Sequence, residues 1–294
     1  MTDEQRRGEV ELSVLVPAHD AAATLAAQLD ALVGQDWTGS WEIVVADHRS
    51  TDGTAALARE YAARHPRVRV ETVTAGRGAA AARNAAARCA RGVNLAMVDA
   101  DDIVGPRWVA AMGDALRDHE CVTGPLEVRR LNPAWLVATR GVPSSTAPMT
   151  FHGLFPTIAA GNLGIRASVW RAVGGFDEAV VAQEDAELSL RLRAAGVAVH
   201  FAPDALVHYR YRHEPRVLFR QGLLYGTYRP LVARRARAAG LGRAPRFAGW
   251  RSWVVLVVWL PRLATRTGRA AWSWVAGVRL GTLRGSVRYR TWYL

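Results

Sequence analysis

The stretch Val93-Asn94-Leu95-Ala96-Met97-Val98-Asp99-Ala100-Asp101-Asp102 decides how the chain is read. The run up to Val98 is apolar enough for a strand covered on both faces, which is how strands of a parallel sheet lie. It ends in three carboxylates, at the place where open α/β sheets bind ligands, beyond the carboxyl ends of their strands. Acids gathered there repel one another unless a cation or hydrogen-bond donors hold them. Mg²⁺ and Mn²⁺ take oxygen ligands and leave positions for water and substrate phosphate, so Asp99 and Asp101 are candidate ligands of a metal on a diphosphate. A solvated acidic loop capping the helix expected near Pro106 is the plainer use of the same residues.

Short β-rich runs alternate with helical patterns on either side of this stretch, and that alternation predicts an α/β sheet with helices on both faces. Residues 12–16 (LSVLV) form a first strand closed by Pro17. Leu25, Leu29, Leu32 and Val33 share one helix face, with Asp20 placed to cap it. Residues 41–46 (WEIVVA) and 68–73 read as strands, and a helix over 54–65 stops before Pro66. An alanine-rich helix over 79–91 is expected to end at Gly92. Downstream, Trp108, Val109, Met112 and Leu116 have helical spacing behind Pro106. Residues 122–161, rich in Pro, Gly, Ser and Thr, read as partly irregular. A helix over 184–195 with Gly196 behind it precedes a strand over 197–201.

Asp47 closes the second strand and opens the turn His48-Arg49-Ser50-Thr51-Asp52-Gly53. Its carboxylate can accept hydrogen bonds from a base N–H or a ribose hydroxyl; with Asp52 it can also simply order the turn and cap the next helix. Asp185, beside Glu184, lies in the first turn of the 184–195 helix, where the helix dipole favours acids whatever their function. A carboxylate near a reacting hydroxyl is also a general base. His208 follows in the chain as a structural or surface histidine, or a ligand.

The order LSVLVPAHD, VVADHRSTDGT, GRGAAAARNAAARCARG, VDADD, GNLGIRASVWRAVGGFDE, QEDAELSLRLRAAG resembles the family 2 glycosyltransferases over about residues 12–209. The resemblance implies the GT-A fold, a Rossmann-like mixed sheet with helices on both faces, and inverting transfer of a sugar from a nucleotide-sugar donor. It places Pro17, Asp47, Arg83, Asn84, Asp99 and Asp101 at the donor, with Asp47 on the nucleobase and Asp99 and Asp101 as the D-x-D. Asp185 matches the family's catalytic base. Asn162 and Glu184 fall on the acceptor side, and His208 stands where relatives can place a metal or diphosphate ligand beside Asp101 and Asp99. A divalent cation, Mn²⁺ or Mg²⁺, is the implied cofactor. The sequence departs from the family pattern at Arg49, where a glycine is usual, at Glu187, where a second aspartate is common, and at His19-Asp20. A non-catalytic nucleotide-binding subunit of the same fold is the alternative. A sugar nucleotidyltransferase needs a glycine-rich phosphate loop and a lysine, and this chain offers neither.

With 294 residues, half of them hydrophobic, the chain suits one large α/β unit and an appendage. Its net charge of +12 is unevenly placed: residues 210–294 hold 18 Arg and the single acid Glu214, or +17, leaving −5 for the rest. Six of the eleven Trp lie after residue 249. The division expected is a polar tail over 1–10, a catalytic domain over 11–215 and a basic, Trp-rich helical region over 216–294. The run Trp253 to Leu260 (WVVLVVWL) is too short for a spanning helix, which takes about 20 residues. Flanked by Arg and Trp, it suits an anionic membrane surface; packing on the catalytic domain and nucleic acid are the other uses, and the aliphatic run favours lipid over nucleic acid. Two cysteines, Cys89 and Cys121, read as buried thiols of a reducing compartment. No apolar leader opens the sequence, so a peripheral or monotopic protein on the cytoplasmic face, acting on a glycan or lipid-linked acceptor, is expected.

Overall fold

The computed structural model describes residues 10–74, 76, 78–242 and 249–293, so the expected polar tail lies outside them except for Val10. Strand β1 (Leu12–Ala18) leads through α1 (Leu25–Val33) to β2 (Trp41–His48), and thence through α2 (Thr54–Arg64) to β3 (Val68–Val73). Helix α3 (Gly78–Cys89) carries the chain back to β4 (Asn94–Val98), which pairs with the other side of β1. All four strands are parallel. The chain reverses its direction of travel between β1 and β4, and such a switch point opens a crevice at the strands' carboxyl ends.

Then follow β5 (Ile103–Val104), α4 (Trp108–Asp118), β6 (Cys121–Thr123), β7 (Leu126–Glu127) and α5 (Ala134–Arg140). A hairpin of β8 (Met149–Phe151) and β9 (Phe155–Thr157) precedes β10 (Asn162–Arg166), α6 (Ala167–Val173) and α7 (Glu184–Ala194). Last in the α/β body come β11 (Val199–Phe201) and β12 (Val207–His208). β10 runs antiparallel between β4 and β6, so the seven-stranded sheet, ordered β11-β6-β10-β4-β1-β2-β3, is mixed. A small sheet ordered β5-β12-β7 lies after the aspartates.

Alternate residues of the central strands feed two cores. Val14 and Val16 of β1, Ile43 and Val45 of β2 and Ala96 and Val98 of β4 pack with Leu25, Leu29 and Leu32 of α1 and Trp108 and Met112 of α4. Leu15, Val44, Leu95 and Met97 face the other way, onto α3, α6 and α7. The two-residue period of a strand therefore explains why these runs are apolar throughout.

Two local expectations are corrected. Asp20 does not cap α1, which begins after Thr24; its side chain accepts the Thr51 N–H at 2.7 Å and so ties the loop after β1 to the loop after β2. Gly92 does not stop α3, which ends at Cys89; a Cβ there would stand 2.5 Å from the Ser13 nitrogen, so the glycine is required where β4 enters beside β1. The segment expected to be partly irregular holds β7, α5 and the hairpin. Cys121 is buried in β6, whereas Cys89 is only half-buried.

The C-terminal region is α8 (Pro215–Ala238), α9 (Trp250–Val258), a 3₁₀ turn (Leu260–Ala264) and α10 (Arg266–Arg288). Gly222 and Gly226 of α8 face Gly277, Gly281 and Gly285 of α10 in a four-residue repeat. A Cβ on Gly226 would stand 2.2 Å from the Val278 carbonyl oxygen, and one on Gly281 2.2 Å from that of Leu223. The two backbones touch, as in small-xxx-small helix pairs. α8 in turn buries Val232, Ala233 and Ala236 against Phe151 and Phe155 of the hairpin and Ala186 and Leu190 of α7. Arg235 clasps Glu187 of α7 and, at 3.0 Å, Asp177. Among the described residues no helix is long and apolar enough to cross a membrane. Because backbone atoms stand where a side chain would go, Gly281→Ala should destabilise the protein by about 1–3 kcal/mol. Chemical denaturation should show a lower midpoint at an unchanged slope; an unchanged midpoint would mean that the helices separate without cost.

Candidate active site

The aspartates after β4 are held by residues distant in sequence. Gln28 of α1, fully buried, donates to the Asp99 carbonyl at 3.0 Å and accepts the Val104 N–H, fixing the turn between them. One carboxylate oxygen from each of Asp99, Asp101 and Asp102 lies within 4.8 Å of the others, the arrangement that can hold a cation. Arg83 pairs with Asp99 at 2.6 Å and Arg212 with Asp101 at 2.8 Å. The Arg210 N–H reaches Asp102 Oδ1 at 2.8 Å, while the buried Asp102 Oδ2 has no hydrogen-bond partner among the described residues. Burial and the negative charges of Asp99 and Asp101 hold the Asp102 carboxyl well above the ordinary range. A Cβ on Gly161 would stand 2.6 Å from Asp99 Oδ2, so only glycine leaves this group room. An orphaned buried carboxylate oxygen beside two further acids is a donor set that fits a hard divalent ion.

Helix α7 brings the second group. Gln183, at φ 62°, turns the chain into the helix, and Glu184 and Asp185 project from its first turn. Arg83 of α3 is buried and bridges Asp99 to Glu184, the latter at 3.2 Å, and both acids hold its guanidinium proton more tightly than usual. Asp185, with no such cation in direct contact, keeps one oxygen on the Ala186 N–H at 2.7 Å. Burial and the neighbouring Glu184 push its carboxyl up to about 7. At neutral pH it is therefore a base of useful strength.

Arg83, Asp99, Gly161, Glu184 and Asp185 border one cavity of about 650 Å³. The C-terminal helices complete its wall with Tyr225 and Arg229 of α8 and Trp274 of α10, joined by Arg140 at the end of α5. Tyr225 and Arg140 were not singled out in the sequence, Trp274 was counted only among the six C-terminal tryptophans, and Arg229 only in the basic charge after residue 209; the glycine repeats alone could have shown that α8 and α10 pair.

Other expected site residues have different work. Asn84 is not on this cavity: its amide binds the Phe176 backbone on both sides, at 2.9 Å, and Glu178, latching α3 to the turn before α7. Asn162 is 0% exposed, accepting from the Trp108 indole and donating to the carbonyls of Pro125 and Ala205, so it knits strands together behind the cavity and does not face an acceptor. His208 lies outside the aspartate group: its Nδ1 is 2.8 Å from Glu127, which joins β12 to β7. Pro17, opposite Ala46, sits half-buried at the end of β1. Asp47, at the end of β2, is buried, and its Oδ1 has no hydrogen-bond partner among the described residues. Arg49 keeps the left-handed conformation that suits the glycine usual at this place, with φ 58°, and its guanidinium binds the Thr74 carbonyl. Glu187 is a buried anchor between Arg191 and Arg235.

Asp102 yields a test. A carboxyl whose pKa is higher folded than unfolded favours the fold while protonated and loses that advantage as pH rises from the ordinary carboxylate pKa through the raised one. In chelator at pH 7, Asp102→Asn should therefore raise Tm, by about 2–4 °C if it restores ~1 kcal/mol. The gain should vanish below about pH 4. Scanning calorimetry at several pH values checks this, and a lower Tm at pH 7 would show that Asp102 is satisfied as it stands.

Comparison with known proteins agrees with this geometry. The profile of Glycosyl transferase family 2 matches residues 13–170, and that of Glycosyl transferase family group 2 matches residues 95–293. The uncharacterized glycosyltransferase YibD of Escherichia coli (strain K12) is 34% identical over 132 residues, 45% of this chain and 36% of YibD. The Escherichia coli UDP-Glc:alpha-D-GlcNAc-diphosphoundecaprenol beta-1,3-glucosyltransferase WfgD is 32% identical over 99 residues, 34% of this chain and 36% of WfgD. The matched part is thus about a third of either relative. Among solved structures, the mannosyltransferase PcManGT from Pyrobaculum calidifontis, in complex with GDP-Man and Mn²⁺, superposes with a TM-score of 0.66 over 94% of this chain and 87% of its own, at 21% identity. That likeness establishes the GT-A architecture, and with the profile match over more than half of the sequence the chain belongs to glycosyl transferase family 2.

Proposed function

We propose that the protein is an inverting glycosyltransferase moving a sugar from a nucleotide-sugar donor to the hydroxyl of a glycan or lipid-linked acceptor. The observation that carries this is the Asp185 carboxyl, poised near neutrality, on the same cavity as Asp99. A donor lying across the ends of β2, β1 and β4 meets the unpartnered Asp47 oxygen with its base or ribose and the aspartate group with its diphosphate. An unmet buried acceptor such as Asp47 Oδ1 costs about 1–3 kcal/mol, which a donor N–H or O–H recovers on binding. Asp185 takes the acceptor proton as the acceptor oxygen bonds to the anomeric carbon and the bond to the nucleoside diphosphate breaks. One displacement inverts the carbon. Asp101 and Asp102, with Asp99, hold a divalent cation, Mn²⁺ or Mg²⁺, which supplies charge neutralisation for the leaving diphosphate. The Mn²⁺ in the PcManGT complex supports this reading.

Asp185→Asn should lower turnover by ~10²–10⁴ with donor affinity nearly intact. Wild-type turnover should fall as pH drops below about 7, where Asp185 becomes protonated. Chelation should stop turnover and Mn²⁺ or Mg²⁺ restore it. Release of nucleoside diphosphate from a panel of donors measures all three; full activity of Asp185→Asn would remove the base, and a chain inert with every donor and acceptor would favour the nucleotide-binding subunit.

The same reading places the protein at the cytoplasmic face of a membrane. Trp250, Val254, Val257 and Val258 lie on the open side of α9, Val257 and Val258 being 66% and 65% exposed, with Leu260 just beyond. That amphipathic face, edged by Arg251 and Arg262, suits an anionic bilayer interface. The diphosphoundecaprenol acceptor in the name of WfgD supports a lipid-linked acceptor and a cell-envelope role. Truncation near Arg243, which is outside the described residues, would also remove Trp274 from the cavity, so point variants are the cleaner test. Val254→Glu with Val257→Glu should abolish flotation with anionic liposomes while nucleotide binding persists; equal flotation would exclude this face.

A further inference from the structure

The cavity beside Asp185 contains two arginines that no acidic residue among the described residues compensates. Arg140 lies with its guanidinium carbon 3.4 Å from the centre of the Trp274 ring and 5.3 Å from that of Tyr211. The ring faces attract the charge, but Nε and Nη1 remain buried with no hydrogen-bond partner. Arg229 has no ion pair or hydrogen bond among the described residues; the Tyr293 and Tyr225 hydroxyls lie within its field, as do His152 and a further arginine, Arg279 of α10, which it repels. Arg140 in turn senses Arg229 as a like charge, and burial lowers the proton affinity of both guanidiniums.

Several desolvated arginines elsewhere in the fold are paired internally, whereas Arg279 of α10, also buried and repelled by Arg229, has no acidic partner among the described residues. Arg83 has Asp99 and Glu184, Arg191 has Glu187, and Arg69 has Glu42. Desolvated charge without a partner is costly, and taking two like charges into one wall adds repulsion. Such an arrangement persists where a ligand supplies the missing anion. Arginine's planar fork suits phosphate oxygens. The position on the cavity also matters: Tyr225 senses the negative charge of Asp185 and the positive charge of Arg140, so its ring lies under the influence of both the base and the guanidinium.

We propose that Arg140 and Arg229 form an anion subsite for a phosphate group carried by the acceptor, next to the sugar whose hydroxyl faces Asp185. The inference rests on the glycosyl-transfer reading for the word acceptor, but the anion site itself does not. The donor diphosphate has its own place at the aspartate group, where Arg210 and Arg212 stand. The acceptor is therefore a phosphorylated glycan or a sugar joined through phosphate or diphosphate to a carrier, and Trp274 and Tyr211 offer it aromatic faces.

Calorimetric titration of the full chain with inorganic phosphate and with pyrophosphate, in chelator, tests the subsite. Pyrophosphate binding should weaken at least tenfold in Arg140→Gln and in Arg229→Gln, whereas nucleoside diphosphate binding in Mn²⁺ should stay within twofold of wild type. Pyrophosphate binding stronger than phosphate binding points to a diphosphate-linked acceptor, and equal binding to a single phosphate; either supports the site. Undiminished pyrophosphate binding in both variants would overturn the proposal, as would a parallel loss of nucleoside diphosphate binding, which would give the arginines to the donor. A thermal melt supplies the second readout: Arg229→Met should leave Tm unchanged or higher, because it removes an uncompensated charge, and a marked fall would make the arginine structural instead. Nucleoside diphosphate release by the wild-type chain measures the glycosyl-transfer reading separately, so the two can fail independently.

Discussion

Arg83 donates to Asp99 at the end of β4 and to Glu184 at the start of α7, and it does so from the interior of α3. Helix α3, the end of β4 and the start of α7 are thereby set against one another beside one cavity. A guanidinium in this position is costly to bury, and the two carboxylates offset that cost only if both keep their places. The constraint acts on the chemistry as well as on the fold. By pairing with Glu184 and not with Asp185, Arg83 leaves the second acid of the pair without a direct cationic partner, and Glu184 adds negative charge beside it. Desolvation and that neighbour are what raise the Asp185 carboxyl. Adjacent acids in one helical turn thus take opposite roles, one holding the frame and one free to accept a proton.

The C-terminal helices bear on the same site from the other direction. Their backbones touch through facing glycines, and this close approach sets Trp274 of α10 on the same wall as Tyr225 and Arg229 of α8. Glu187, one helical turn beyond Glu184, is held by Arg235 of α8, so the acidic end of α7 is gripped by Arg83 from one side and by the C-terminal region from the other. The basic region is consequently not uniform. Arg235 is consumed in structural pairing, Arg210 and Arg212 attend the aspartates, Arg229 faces the cavity beside Arg140 of α5, and Arg251 and Arg262 lie along the outer apolar face of α9. A single count of positive charge conceals four environments with different energetic consequences.

Much of the α/β body is legible because its signals are local. A strand's period of two and a helix's period near 3.6 are written in neighbouring residues, and the four apolar residues directly before Asp99, Leu95 to Val98, suit a strand covered on both faces. The aspartates at its end, the acidic start of α7 and the apolar run of α9 are local in the same sense. Where local reasoning erred, a distant partner had intervened: Asp20 is engaged by Thr51, and Gly92 answers to the backbone of β1.

The sequence by itself determined the α/β alternation, the carboxylates at the strand ends and the division of charge along the chain. Tertiary structure decided which polar residues face the cavity. Asn84 and Asn162, adjacent to or inside the recognised motifs, turn inward because backbone carbonyls and N–H groups from other elements claim their amides. Arg140, Arg229 and Trp274, which belong to no motif, line the same cavity as Asp185 because α5, α8 and α10 converge there. Hydrogen bonds and burial between residues more than a hundred positions apart, as between Arg210 and Asp101, settle such assignments. No periodicity encodes them, since the energy of each contact depends on which groups the folded chain removes from water together.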